Sequence, residues 1–123
     1  MYTLDTNPII YFLKNDPVVV AFIQKLLVSN DPIFISTITE IELFGFPNMP
    51  ADEEKRILDI LETLTVIPVD SRIARTAGSL RRMYGLKTAD AGIAATALAT
   101  GSILATRNIR DFKKVPGLEI ASI

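Results

Sequence analysis

The sequence predicts an α/β fold in which a mostly parallel sheet of four to five strands is covered by helices on both faces. Short apolar runs alternate along the chain with longer helical segments, and this alternation is typical of parallel sheets. Hydrophobic residues make up 49% of the 123 residues, which is enough to form the core of a single domain over 1–123. Cys and His are absent, which excludes disulfides, thiolate or imidazole zinc sites, and catalysis by Cys or a Ser–His pair.

Two caps followed by proline mark the first helices. Residues 2–5 are predicted as a short strand that runs into a turn, because Asn7-Pro8 offers a helix cap followed by proline at the first helical position. Asp16-Pro17 repeats that signal before a helix over 18–28. The chain is therefore expected to pass from strand to helix at Asp5.

A second strand and two more helices complete the first half. The β-branched run 33–36 is predicted as a buried strand, and Thr37 to Glu40 fits a capping box that opens a helix to about Phe46. The acidic run 52–54 marks the start of the next helix. The predicted apolar stripe of that helix comprises Ile57, Leu58, Leu61 and Leu64.

The second half continues the alternation. Residues 66–69 are predicted as a third strand, which Pro68 places at a sheet edge or strand end. Asp70 and Thr88 are expected to cap the two helices that follow, and a glycine is expected to end each of them. The remaining predicted elements are a fourth strand over 102–106, a short helix over 109–114 and a fifth strand over 118–120.

Acidic side chains fall where parallel sheets bind their ligands, beyond the carboxyl ends of the strands. They are Asp5 after the first strand, Glu42 after the second, Asp90 in the first turn of the helix from Thr88, and Asp111 after the fourth strand. Carboxylates gathered in one pocket must be protonated, paired with Lys or Arg, or neutralised by a cation. An all-oxygen donor set favours Mg²⁺ or Mn²⁺, and such ions can activate water against a phosphodiester.

Three of these acids also have an ordinary structural role open to them. Asp5 could cap a helix, although Asn7 is better placed to do so. Asp90 could complement a helix dipole, and Asp111 could cap the short helix after the fourth strand. Asn108 competes with Asp111 for the place of the fourth ligand, and the charge of Asp111 favours the acid.

The second strand is followed by two glutamates, of which only one can face the site. Glu40 and Glu42 lie two residues apart, hence about 200° apart around a helix. Glu40 has a competing role as the capping-box partner of Thr37. That role favours Glu42 as the site residue.

Charge is distributed unevenly along the chain. Residues 1–62 carry four basic and ten acidic side chains, a net charge of −6, whereas residues 63–123 carry nine basic and four acidic ones, a net charge of +5. Such asymmetry is typical of nucleic-acid contact, and two oppositely charged solvated surfaces explain it equally well. The candidate nucleic-acid-binding residues are Arg81, Arg82, Lys87, Arg107 and Arg110.

Four motifs resemble the PIN-domain family, and most of all its VapC-like toxin branch. They are Leu4-Asp5-Thr6-Asn7, Ser36–Gly45, Thr88–Ala97, and Thr106-Arg107-Asn108 with Asp111-Phe112. The resemblance implies a three-layer α/β/α sandwich and a ribonuclease that depends on Mg²⁺ or Mn²⁺. Carried over residue by residue, it implies an acidic metal site. The implied ligands are Asp5, Glu42, Asp90 and Asp111, with Asn108 in the same motif where some members carry an acid, and Thr6 and Thr106 would orient ligands or waters.

The resemblance also implies partners. VapC-like proteins are usually the toxin of a toxin–antitoxin pair, they commonly form homodimers, and the antitoxin blocks the toxin's site. Two other functions stay open at this point: a housekeeping ribonuclease that trims structured RNA, and a module that binds RNA or protein without catalysis. The longest uncharged stretch, 91–106, is shorter than the about 20 residues that span a bilayer, so a soluble, cytoplasmic protein is expected.

Overall fold

Five strands and seven helices alternate along the chain in the computed structural model, which describes residues 1–123. The elements are β1 (Tyr2–Leu4), α1 (Thr6–Leu13), α2 (Pro17–Val28), β2 (Ile33–Ser36), α3 (Thr37–Phe44), α4 (Ala51–Leu61), β3 (Thr65–Ile67), α5 (Ser71–Tyr84), α6 (Thr88–Thr100), β4 (Ile103–Thr106), α7 (Ile109–Phe112) and β5 (Ile120–Ser122). The predicted α/β class is confirmed. None of the helices combines the length and the apolar character that a membrane crossing needs.

The strands form one fully parallel sheet in the order β3-β2-β1-β4-β5. Tyr2 of β1 pairs with Ile33 of β2 on one side and with Ile103 of β4 on the other. From β1 the chain builds the sheet outward to the edge strand β3, and it then returns to place β4 on the opposite side of β1. Open α/β sheets bind their ligands in the crevice at such a reversal of strand order.

Apolar side chains fill a separate core on each face of the sheet. Leu4, Ile33 and Ile35 pack with residues of α1, α2 and α4 on one face. On the other face Leu104 packs with residues of α5, α6 and α7. The neighbouring Ala105 belongs to the first core, as the alternation of side chains along a strand requires. Helices on both faces confirm the predicted three-layer α/β/α sandwich.

Helix α3 begins differently from the prediction. Ser36 is its N-cap, because the Ser36 hydroxyl accepts a hydrogen bond from the Ile38 N–H at 3.0 Å. The Thr37 hydroxyl instead accepts from the Val69 N–H at 3.0 Å and so joins α3 to the chain after β3. The expected capping box of Thr37 and Glu40 is therefore wrong. The helix also ends two residues earlier than predicted.

Two further expectations need correction. In α4, Leu58 is 48% exposed, and Ile60 takes its place beside Ile57 and Leu61 in the core. Ile60 and Leu61 lie three and four residues after Ile57 and share its helix face, whereas Leu58 lies at the edge of that face. Leu64 lies beyond the end of this helix. Strand β5 begins two residues later than predicted.

The close contact between α3 and α6 depends on a glycine. A Cβ atom added at Gly92 in α6 would lie 2.8 Å from Cγ1 of Ile38 in α3. We expect Gly92→Ala to lower the free energy of unfolding by about 1–3 kcal/mol, because the core has no room for the methyl group. Urea denaturation measures this change.

The same substitution should behave differently when Ile38 is shortened first. In an Ile38→Ala background the obstructing carbon is gone, and alanine is a better helix former than glycine by about 1 kcal/mol. Gly92→Ala should then be neutral or stabilising. An equal loss of stability in both backgrounds would contradict the steric explanation.

Candidate functional site

Asp5 lies at the end of β1, beside the reversal of strand order, and is 6% exposed. Its Oδ1 accepts a hydrogen bond from the Thr6 N–H at 2.8 Å, so Asp5, and not Asn7 as expected, caps α1. Its Oδ2 accepts from the Thr106 hydroxyl at the end of β4, also at 2.8 Å. Burial raises the pKa of the Asp5 carboxyl group and the charge of Glu42 adds to this, while the two hydrogen bonds oppose it.

Thr106 connects Asp5 to the loop before α7. Its buried hydroxyl donates to Asp5 and accepts from the Asn108 N–H at 2.9 Å. The Asn108 side chain in turn donates from Nδ2 to Oδ2 of Asp111 at 3.0 Å. One chain of hydrogen bonds therefore orders the polar residues from the end of β1 to α7.

Thr6 holds Glu42 by a hydrogen bond, as Thr106 holds Asp5. The Thr6 hydroxyl donates to Oε1 of Glu42 at 2.6 Å and lies 3.2 Å from the Thr39 hydroxyl. Thr39 is fully buried and was not among the predicted site residues. Its position three residues before Glu42, on the same face of α3, is the signal that could have identified it.

A polar cavity of about 350 Å³ brings most of the predicted ligands together. Asp5, Glu42, Asp90 and Asn108 all contribute to its lining, whereas Glu40 does not. Asp111 does not line it either, because its carboxylate faces the Asn108 amide and lies 3.9 Å from Nζ of Lys114. The structure thus places Asn108 at the cavity and Asp111 behind it.

Asp90 is held in the first turn of α6, at one side of this cavity. Burial raises the pKa of its carboxyl group, and the charges of Asp5, Asp111 and Glu42 raise it further, in that order. Lys87 acts in the opposite direction. The charges of the three other acids therefore act on Asp90, although the four residues come from separate parts of the chain.

The donor atoms of the cavity suit a hard divalent cation. They are carboxylate and amide oxygens, which Mg²⁺ and Mn²⁺ prefer, and the chain has no sulfur or imidazole ligand of the kind that zinc prefers. As the side chains stand, no three carboxylates are close enough to hold one ion between them. Repulsion among ionised groups favours this separation. Three carboxylates could hold one ion only after side-chain rotation, which is open to Glu42 because it is exposed.

The predicted RNA-binding residues fall into two groups. Arg81 and Arg82 lie in the last turn of α5 and Lys87 precedes α6, while Arg110 is exposed on α7. Nη1 of Arg81 donates to the Thr88 hydroxyl at 2.6 Å. Lys87 occupies the N-cap position of α6 and Thr88 is the first residue of the helix, which corrects the expectation from sequence.

Arg107 is placed differently from the other four. Its guanidinium group already contacts Asp16, the Tyr11 ring and the Ile123 backbone carbonyl. These contacts within the chain do not support the predicted role in RNA binding.

Thr106 offers a direct test of the hydrogen-bond chain. We expect Thr106→Val to lower the free energy of unfolding by about 1–3 kcal/mol, because the nearly isosteric valine leaves the buried Asp5 oxygen and the Asn108 N–H without their partner. Thr106→Ser retains the hydroxyl and should be less destabilising. Chemical denaturation of both variants measures the difference, and a valine variant as stable as the serine variant would contradict the assignment.

The chain belongs to the PIN domain family, whose model its sequence matches over residues 2–118. Ribonuclease VapC1 of Haemophilus influenzae strain R2866 is 30% identical, over 97% of this chain and 95% of that protein. The tRNA(fMet)-specific endonuclease VapC of Salmonella typhimurium is 28% identical over the same shares. The structure of VapBC2 from Rickettsia felis, bound to a DNA fragment from its promoter, matches with a TM-score of 0.85 at 26% identity and covers 99% of this chain and 98% of that one.

Proposed function

We propose that this protein is a metal-dependent endoribonuclease that acts as the toxin of a type II toxin–antitoxin pair. The observation that carries the proposal is the convergence of Asp5, Glu42, Asp90 and Asn108 on one cavity at the reversal of strand order. Asp111 supports this group from behind through Asn108. Relatives that are named ribonuclease and endonuclease support the same reaction class.

Asp5, Asp90 and Glu42 have different roles in the proposed hydrolysis. A bound Mg²⁺ or Mn²⁺ would supply an activated water and neutralise charge on the phosphodiester. Asp5 is held in place by hydrogen bonds to both carboxylate oxygens, and Asp90 contributes a carboxylate whose charge is disfavoured until a cation compensates it. Glu42 lines the cavity, accepts a hydrogen bond from Thr6 and is exposed, so its side chain can rotate to meet a cation. Water is the proposed nucleophile, because a water activated by the metal ion would make a nucleophile from the protein unnecessary.

The RNA backbone would be held by the basic side chains near the start of α6. Lys87 precedes this helix and Arg81 is bonded to its first residue, so both lie near the turn that carries Asp90. Arg82 and Arg110 add positive charge on the neighbouring elements α5 and α7. Contacts of this kind position a nucleic acid but do not select its sequence. We therefore expect RNA affinity to fall as salt concentration rises.

An antitoxin is the proposed protein partner. Solved relatives include VapBC complexes, such as VapBC-1 from nontypeable Haemophilus influenzae at 29% identity and a TM-score of 0.81. Ile10 and Phe46 line both the acidic cavity and a neighbouring, more apolar cavity of about 450 Å³, and Phe46 is 50% exposed. Apolar surface beside a charged site is suited to a protein partner. We further propose a homodimer, and action in the cytoplasm where RNA and antitoxin are both present.

Thermal unfolding in Mn²⁺ tests the metal site without an RNA substrate. We expect the wild-type melting temperature to rise with Mn²⁺ relative to EDTA, since a ligand at a hundred times its dissociation constant stabilises by about 2.7 kcal/mol. Glu42→Gln should weaken this response. Glu40→Gln is the matched control and should leave it unchanged, because Glu40 does not line the cavity. A wild-type protein that shows no response to Mn²⁺ would favour a binding module over an enzyme.

A further inference from the structure

We infer that Arg107 is a positioning residue that holds the loop between β4 and α7 against the rest of the site. The inference deepens the proposed function and rests on it, because it concerns the residues that the loop presents to the same cavity. Arg107 stands between Thr106, which bonds Asp5, and Asn108, which lines the cavity. Its side chain points to a different set of partners from either neighbour.

The guanidinium group of Arg107 makes three contacts at once. Nη2 lies 3.1 Å from Oδ2 of Asp16, Nε donates to the carbonyl oxygen of Ile123 at 2.6 Å, and Cζ lies 4.3 Å from the centroid of the Tyr11 ring. A planar, delocalised cation can stack on a ring and donate in its own plane at the same time, which a lysine ammonium group cannot do. The contacts require arginine in particular.

These contacts tie the loop to three separate parts of the fold. Tyr11 belongs to α1, Asp16 caps α2, and Ile123 follows β5. The side chains of Arg107 and Asp16 are 35% and 25% exposed, so the ion pair is partly shielded from solvent. Shielding and the additional hydrogen bond make this pair stronger than an open surface ion pair.

The loop has few other anchors besides Phe112, which is fully buried at the end of α7. Helix α7 spans only four residues, and no side chain caps its start. On its inner side the loop is fixed by the Thr106 hydroxyl through the Asn108 N–H. Arg107 fixes the opposite side. Asn108 and Asp111 therefore depend on both attachments for their place at the cavity.

A phosphate contact is the competing role for Arg107. Reaching an RNA backbone would require the guanidinium to leave Asp16, and the Asp16 charge would itself repel phosphate. Arg110, three residues further on, is exposed and forms no ion pair, so it serves as a matched control for phosphate binding.

Steady-state RNA cleavage and Mn²⁺ binding by Arg107→Lys and Asp16→Asn separate the two roles. If Arg107 positions the loop, both variants should lose about tenfold in kcat and in Mn²⁺ affinity, with KM unchanged. Asparagine still caps a helix well, so Asp16→Asn keeps the start of α2 while it removes the ion pair. Arg110→Ala should raise KM alone. All measurements are made well below the melting temperature of each variant.

If Arg107 instead contacts phosphate, the outcomes reverse. Arg107→Lys retains the charge and should resemble the wild type, and Asp16→Asn should lower KM because it removes a repelling acid. Wild-type cleavage with unchanged kcat and Mn²⁺ affinity in both variants would overturn the role of Arg107 alone. A wild-type protein with neither metal-dependent cleavage nor Mn²⁺ binding would overturn the proposed function and this inference with it.

Discussion

Asp90→Asn is expected to abolish RNA cleavage and to make the metal-free protein more stable. The carboxylate of Asp90 is a proposed metal ligand, and its amide replacement carries no charge to hold a cation. In the metal-free fold, burial and three neighbouring acids raise the pKa of Asp90, which means that folding disfavours its ionised form relative to the unfolded chain. Removal of that charge therefore favours the folded state. Cleavage assays and thermal melts in EDTA measure the two effects.

Loss of cleavage together with a gain in stability identifies a carboxylate that serves function at the expense of stability. A group that only complements the dipole of α6 would stabilise the fold, so its neutralisation would lower the melting temperature. Asp59→Asn is the control, since Asp59 is exposed on α4 and lies outside the cavity. Undiminished cleavage by the Asp90 variant would contradict its assignment as a ligand. A lower melting temperature would favour the role in the helix dipole.

Phe112→Ala is expected to have the largest effect on stability. Phe112 is fully buried and is the largest of the buried side chains in the chain. Truncation of a buried phenylalanine leaves a cavity and lowers the free energy of unfolding by about 3–5 kcal/mol. Urea denaturation measures the loss. Phe112→Leu, which retains most of the apolar volume, should be much less destabilising.

The same variant also tests the link between core and site. Phe112 is the last residue of α7, next to Asp111 and in the same short helix. Without the Phe112 ring, α7 loses its attachment to the core, and Asp111 can no longer hold Asn108 at the cavity. Mn²⁺ binding should therefore weaken at temperatures where the protein is still folded. A variant of wild-type stability would contradict the packing described for α7.

Local signals in the sequence were sufficient to predict the fold. Proline after a cap at Asp16 and glycine after α5 and α6 act within one turn of the chain, and the structure has Asp16 as a cap and Gly85 and Gly101 in the left-handed conformation at the helix ends. The errors in helix capping occurred where neighbouring residues compete for the same cap. Ser36 and Thr37 are both competent, and the choice depends on the distant Val69 N–H, which binds the Thr37 hydroxyl.

The acids that line the cavity were predictable from the sequence, but their hydrogen-bond partners were not. Strand ends and residue types placed Asp5, Glu42 and Asp90 at one edge of the sheet. Glu42 lines the cavity and Glu40 does not, although the capping-box argument for Glu42 was wrong because Ser36 caps α3. Glu42 is held by Thr6, which is 36 residues away in the sequence. Partners so distant in sequence leave no local signal.

Arg107 shows most clearly that contacts between residues distant in sequence cannot be predicted from local signals. As a sequence position it is one of several basic residues in the second half of the chain, and charge alone predicted phosphate binding. Its partner Asp16 is 91 residues away and becomes a neighbour only when β4 lies beside β1. The physical role of a surface charge is therefore set by the topology of the sheet.

Cleavage of a structured RNA by the purified chain, freed of any bound partner, tests the central claim most directly. Reactions contain Mn²⁺ or Mg²⁺, or EDTA in their place, and are repeated with Asp90→Asn and with Asp59→Asn. The account predicts cleavage by the wild type and by Asp59→Asn with either metal, and none in EDTA or with Asp90→Asn. Cleavage that persists in EDTA, or in the Asp90 variant at the wild-type rate, would contradict it.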